Sequence, residues 1–300
     1  MTALVMADEV ADALRRGQPV VALESTVIAH GLPHPQNLAL AARLEALVRE
    51  EGAVPATIAL ADGAVRIGID AALRERLGTE RGVAKVSLRD VALVLADGTL
   101  GATTVATTLW AAEQAGIHVF ATGGIGGVHP GDGFDISADL PALASIPVCV
   151  VSSGAKAILD LRRTREWLET WGVPVLGLGT AQFPAFYSRE SGGLAVDRKV
   201  ASPDDAARYI KAHLRLGRSG VLLCNPVPTA SEIPHERVSD WIHEAAQAAL
   251  SRDVQGHALT PFLLAELGRR SAGATIRANL ALLEDNARVG ARVARALRPG

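Results

Sequence analysis

Ile146-Pro147-Val148-Cys149-Val150-Val151 runs directly into Ser152-Ser153-Gly154-Ala155-Lys156. The first six residues read as a buried strand. The next four are small, and the fifth is a lysine. A parallel strand of that kind delivers whatever follows it to the edge of a cleft, so the stretch implies both a sheet and a site. The chain has only four lysines, Lys85, Lys156, Lys199 and Lys211, and Lys156 alone follows so long an apolar run. Desolvation there would free a neutral amine to attack a carbonyl carbon. The alternative is a helix-start lysine whose head reaches water.

The same alternation continues on both sides. Val20 to Leu23 reads as a strand, and Asn37 to Glu51 as a helix with apolar spacing and a glycine after it. Thr57 to Leu60 and Val65 to Ile69 flank Asp62-Gly63, a hairpin signal. Val91 to Ala96, Ile117 to Ala121, Val148 to Val151, Val173 to Leu178 and Val221 to Cys224 are expected strands. Helices are expected over Thr103–Ala115 and Ala155–Thr170. From His235 on the pattern is helical: His235–Leu250, a helix capped at Thr260-Pro261, and Ala274–Leu297. The expected fold class is α/β, a three-layer α/β/α sandwich with a mostly parallel central sheet and a helical C-terminal part. Residues 1–300 are expected to form one domain.

Composition excludes several classes. The 300 residues are 49% hydrophobic, with 30 basic against 32 acidic side chains, so nucleic-acid and polybasic membrane binding lack a footprint. Aromatics at 4% are too few for a base-stacking platform. Cys149 and Cys224 sit in apolar runs and read as buried free thiols. No apolar stretch reaches about 18 residues and no leader precedes a cleavage site, so a cytoplasmic protein is expected.

Ligands of such sheets gather where strands end. Glu24 abuts Val20–Leu23, and a carboxyl against an apolar wall is held toward its protonated form, as a general acid requires; a capping carboxylate is the alternative. Thr103-Thr104-Val105 enters a helix after a glycine, where hydroxyls and free N–H groups suit a phosphate, or where threonine is simply a cap. The loop Thr122–Gly127 does not match GxGxxG; it signals only tight turning or close approach. Asp135, Ser137 and Asp139 form a polar cluster that fits a hard cation or a solvated loop. His30, His34 and His129 lack zinc spacing. Lys85 reads by default as a surface lysine.

Seven segments, in order, resemble the pseudouridine-5′-phosphate glycosidase family, related to the indigoidine synthase A-like proteins. They are Ala22–Gly31, Lys85–Ser87, Gly101–Thr107, Thr122–His129, Phe134–Leu140, Val151–Lys156 and Arg277–Glu284. The resemblance implies reversible cleavage of pseudouridine 5′-phosphate to uracil and ribose 5-phosphate. It implies Lys156 as a Schiff-base nucleophile on the opened ribose and Glu24 as proton donor. It implies phosphate contacts at Lys85, Thr104 and Val105, further substrate contacts at Ser137, Ala138 and Asp139, and site positions at His129 and Asn279. It also implies a divalent metal, usually manganese, on Asp135, and a homotrimer.

The residue types suit the chemistry. The scissile bond is C–C, so protonating a leaving oxygen, as paired-carboxylate glycosidases do, gives nothing. An amine that becomes an iminium at C1′ gives the bond a route to break, and an acid must then protonate uracil C5. The loop His129-Pro130-Gly131-Asp132-Gly133 is short against the family's usual run. Rival readings are an indigoidine-pathway C-riboside phosphate enzyme of the same fold, a non-catalytic sugar-phosphate binding protein, and a carbohydrate kinase. Binding alone needs neither Glu24 nor Lys156, and a kinase lacks its glycine-rich loop followed by lysine.

Overall fold

The structure, a computed structural model, describes residues 3–131, 134–254 and 259–298. Its strands are β1 (Leu4–Met6), β2 (Val20–Leu23), β3 (Val54–Ala61), β4 (Ala64–Ile67), β5 (Ala84–Val86), β6 (Gly101–Thr103), β7 (Val119–Ala121), β8 (Cys149–Ser152), β9 (Val175–Leu178), β10 (Arg198–Val200) and β11 (Val221–Cys224). The helices are α1 (Asp8–Arg15), α2 (Thr26–His30), α3 (Gln36–Glu50), α4 (Ala71–Thr79), α5 (Val91–Asp97), α6 (Val105–Gln114), α7 (Asp139–Ser145), α8 (Leu161–Thr170), α9 (Pro203–Leu214), α10 (His235–Ser251), α11 (Leu259–Arg270) and α12 (Ala274–Ala296).

Seven strands pair in parallel in the order β3-β2-β7-β8-β11-β9-β10. Apart from the edge strand β10, whose Arg198 and Lys199 are exposed, their side chains are buried on both faces, which is why they read as unbroken apolar runs rather than alternating ones. β3 serves two sheets. Val54–Thr57 pairs with β2, then Ile58–Ala61 pairs antiparallel with β4, and Ala59 and Leu60 pair with β6. β1 and β5 extend that smaller mixed sheet.

One face of the parallel sheet carries α3, α12 and α9; α6, with α7 and α8 beside it, packs on the other. Gly290 lets α12 approach closely: a Cβ there would lie 3.0 Å from the Ala121 Cβ and 3.4 Å from Val21. Both cysteines are free and fully buried, and burial pushes both thiols up.

Two sequence expectations are corrected. Val91–Ala96 is not a strand but helix α5. A short apolar run has no readable period, and its boundaries decide: Ser87 and Asp90 form a capping box ahead of it, and Gly98 closes it at φ 64°. Thr104 therefore follows the three-residue strand β6. The helix expected from Ala155 starts only at Leu161, because Ala155 pairs with Ile125 and Asp160 caps α8 by accepting from the Arg163 N–H at 2.9 Å. Lys156 lies in the connecting turn, so it is not a helix-start lysine. The capping role expected of Thr260 falls on side chains outside the described residues.

Candidate functional site

The candidate site is assembled from the ends of β2, β7 and β8, the start of α6, and β5. After β7, the glycine loop and the segment after β8 bind each other like two short strands. Ser153 N–H donates to Gly123 O at 2.8 Å, Ile125 N–H to Gly154 O at 3.0 Å, and Lys156 N–H to Ile125 O at 3.1 Å. The backbone of Lys156 is thus fixed while its side chain stays half-buried at the cleft.

Glycine is required in that loop by crowding. A Cβ on Gly126 would stand 2.1 Å from Ser137 Oγ and 2.7 Å from Asp139 Oδ2. Close approach, not nucleotide binding, explains this glycine.

Asp139 clasps the two walls. Its buried carboxylate accepts from the Ala106 N–H in the first turn of α6 at 3.0 Å (Oδ1). It accepts from the Gly126 N–H at 2.7 Å (Oδ2). Ser137 Oγ in turn accepts from the Asp139 N–H at 3.3 Å. Glu24, half-buried, is held at both oxygens by the hydroxyls of Thr26 and Thr122. The wall around it is thus more polar than the preceding strand implies.

Lys85 is exposed at the mouth of the same cleft, in β5. Its pKa is lowered, first by partial desolvation and then by the positive charge of Lys156, against the opposing charges of Asp139 and Glu24. This mutual influence places four of the expected site residues within one electrostatic neighbourhood. His30 joins them: burial and the Lys85 charge hold it below the usual histidine value, partly offset by hydrogen bonds to the backbone of Ala84 and Val83.

Thr104 is the N-cap residue of α6, yet its hydroxyl makes no capping bond. That oxygen is buried and has no hydrogen-bond partner among the described residues. Val105 behind it is buried in the core. An orphaned hydroxyl at a helix N-terminus is a place for an anion.

His129 and Asp135 are joined through the backbone, the His129 N–H donating to the Asp135 O at 2.9 Å. The Asp135 side chain and Ala138 are exposed. Among the described residues no three His, Cys, Asp or Glu side chains converge to hold a metal. The donor set therefore fits only a hard ion bound by one carboxylate and water. Asp132 and Gly133 of the shortened loop lie outside the described residues. Asn279 is half-buried on α12, two turns before Asn286 on the same side of that helix.

Sequence reasoning missed three features. Thr26 and Thr122 as partners of Glu24 carried no distinguishing signal. Buried Ser25 accepts from the Thr103 N–H at 2.8 Å and ties β2 to β6. Buried Asn286 binds the carbonyl of Thr122; its signal was a polar residue on the apolar stripe of Leu282, Leu283 and Val289.

Comparison with known proteins extends this geometry. The family model for indigoidine synthase A like protein matches residues 9–296. A pseudouridine-5′-phosphate glycosidase from Jannaschia sp. (strain CCS1) is 52% identical over 300 residues, covering 98% of each chain. Another, from Caldanaerobacter subterraneus subsp. tengcongensis, is 50% identical over 96% of this chain and 95% of its own. Among solved structures, the prealnumycin C-glycosynthase AlnA in complex with ribulose 5-phosphate superimposes with a TM-score of 0.92 at 41% identity, covering 99% of this chain and 97% of that one. An indigoidine synthase A-like protein from Thermotoga maritima gives 0.90 at 34% identity, with the same coverage. No helix among the described residues is long and apolar enough to cross a membrane. The chain belongs to the indigoidine synthase A-like family of enzymes.

Proposed function

We propose that the enzyme cleaves the C–C glycosidic bond of pseudouridine 5′-phosphate, giving uracil and ribose 5-phosphate, in a reversible reaction. The observation that carries this reading is the meeting of Lys156, Glu24, Lys85 and Asp139 in one cleft beside the orphaned Thr104 hydroxyl. Relatives at about half identity, named for this activity, support it.

Lys85 and the start of α6, at Thr104 and Val105, bind the phosphate. The Lys156 amine attacks C1′, displacing the ring oxygen, which takes a proton from the attacking nitrogen and leaves as a hydroxyl, opening the ribose. The nitrogen lone pair then forms C1′=N as the C1′–C5 bond breaks. The bonding electrons pass to uracil C5, where Glu24 delivers a proton. Water adds to the Schiff base, releasing ribose 5-phosphate and the free lysine. By the family resemblance, Ser137, Ala138 and Asp139 are further substrate contacts, and His129 and Asn279 are site positions. A divalent ion, Mn²⁺ by the family resemblance, would be held by Asp135 and water, and supplies positive charge beside the anionic substrate. A homotrimer is the assembly this reading carries.

A second reading is favoured by the AlnA likeness: the same pair joining a sugar phosphate to a larger carbon nucleophile. Uracil release from pseudouridine 5′-phosphate separates the two. Mass spectrometry after incubation with ribose 5-phosphate and borohydride should find the sugar-phosphate mass on the peptide containing Lys156. An adduct on Lys85, or none, overturns the mechanism.

A further inference from the structure

We infer that Asn286 is a positioning residue that sets Glu24 and Lys156 in register with each other. The inference rests on the proposed roles of those two groups, and on a hydrogen-bond network that exists whatever they do. Asn286 is wholly buried on α12, under the ends of three adjacent strands. Its amide donates to Thr122 O at 2.8 Å, to Ser153 Oγ at 3.2 Å and, more weakly, to Gly123 O at 3.4 Å. Its oxygen accepts from the Asn225 amide at 3.0 Å. Asn225 also donates to Asp285 at 2.8 Å, and its own backbone N–H binds Ser152 O at 2.8 Å.

Each of these partners leads to the chemistry. Thr122 follows β7, and its hydroxyl holds Glu24. Ser153 follows β8, three residues before Lys156, and Asn225 follows β11. One planar amide thus joins the loop that fixes the acid to the loop that carries the amine. Burying a polar group here is costly unless every partner is in place, so the network admits few alternative arrangements. Asn286 touches neither the phosphate cradle nor Lys85, so its effect should fall on the chemical step and not on binding.

The test uses Asn286→Asp, which keeps the shape and turns donors into acceptors facing two carbonyls. With pseudouridine 5′-phosphate as substrate, kcat should fall about 10²-fold, as for a misplacement near 1 Å, with KM and the affinity for inorganic phosphate little changed. Hydrogen exchange should show the Ser153 and Lys156 amides losing protection while Ala22 and Ala56, paired in the β2–β3 ladder, keep theirs. Ser153→Ala removes a single acceptor and should lower kcat about fivefold in the same pattern; it carries both measurements if Asn286→Asp does not fold. Unchanged exchange at Ser153 and Lys156, or kcat and KM shifting together with uniform loss of protection, overturns the inference. Should wild-type enzyme form no lysine adduct, the mechanism above fails, and the exchange pattern still decides whether Asn286 ties the two loops.

Discussion

Replacing Asp139 by asparagine keeps the shape of the side chain and removes one acceptor. In the native cleft the Ala106 and Gly126 N–H groups each find a carboxylate oxygen, at 3.0 and 2.7 Å, out of water. Whichever way an asparagine amide turns, its NH₂ faces one of those donors. Hydrogen bonds to a charged group contribute about 1.5–3 kcal/mol each, a neutral one about 1 kcal/mol, and an unpaired buried N–H costs about 1–3 kcal/mol. Allowing for partial relaxation, the substitution should cost about 2–4 kcal/mol. For a chain of this size that lowers the unfolding midpoint by about 3–6 °C. Thermal scans of wild type and Asp139→Asn, with and without ribose 5-phosphate, read the effect directly. The expected variant is less stable in both conditions and binds the sugar phosphate weakly, because the glycine loop has parted from α6. An unchanged midpoint combined with lost ligand binding would refute the clasp and make Asp139 purely a substrate contact.

Further outcomes are expected elsewhere in the cleft. Gly126→Ala, whose Cβ meets Ser137 and Asp139, should abolish activity and lower stability through crowding, whereas Gly82→Ala, with open space around its Cβ and only the strain of its φ of 79°, should lose stability only; equal activity in the two variants would contradict the crowding. Glu24→Gln should still trap the lysine adduct yet release uracil about 10²–10⁴-fold more slowly, and near-normal release would remove Glu24 from the proton-transfer role. Protonated Lys85 is the form that binds phosphate, and its pKa lies below the usual 10.5. Inorganic phosphate affinity should accordingly decline with rising pH before an ordinary lysine would titrate, and a decline unaltered in Lys85→Gln would rule Lys85 out. Chelation should silence the enzyme, manganese should restore it, and Asp135→Asn should raise the manganese concentration needed; full turnover in chelated enzyme verified by elemental analysis would exclude the ion.

The sheet was legible where four-residue apolar runs stand between clear breakers. Val20–Leu23, after Pro19, and Val221–Cys224, before Asn225-Pro226, are strands to the residue. Val91–Ala96 failed because its length suits either structure and its caps, not its apolar content, decide. The three-residue strands β1, β5, β6 and β10 are too short to leave a period. Of the candidate site, the strand-end positions of Glu24 and Lys156 were legible because the fold class dictates where strands end. The structure places Lys85 with them through the β5–β6 pairing, a nonlocal contact that no local pattern encodes. Asn225 and Asn286 are separated by 61 positions in the chain, so only folding shows that they share a hydrogen bond.

The position of α12 in the chain has a consequence for biosynthesis. It packs on β2, β7 and β8, yet it is translated after every strand of the sheet. Ala274, the start of α12, lies 50 positions after Cys224, the end of β11, a stretch a ribosome takes roughly 3–10 s to add at 5–20 residues per second. For that interval the face that already carries α3 and α9 lacks the helix between them, which leaves bare the strip including Val21 and Ala121 that Gly290 later approaches. The carbonyls of Thr122 and Gly123 meanwhile lack their amide. The emerging polypeptide thus keeps apolar sheet surface open to aggregation until its final helix docks.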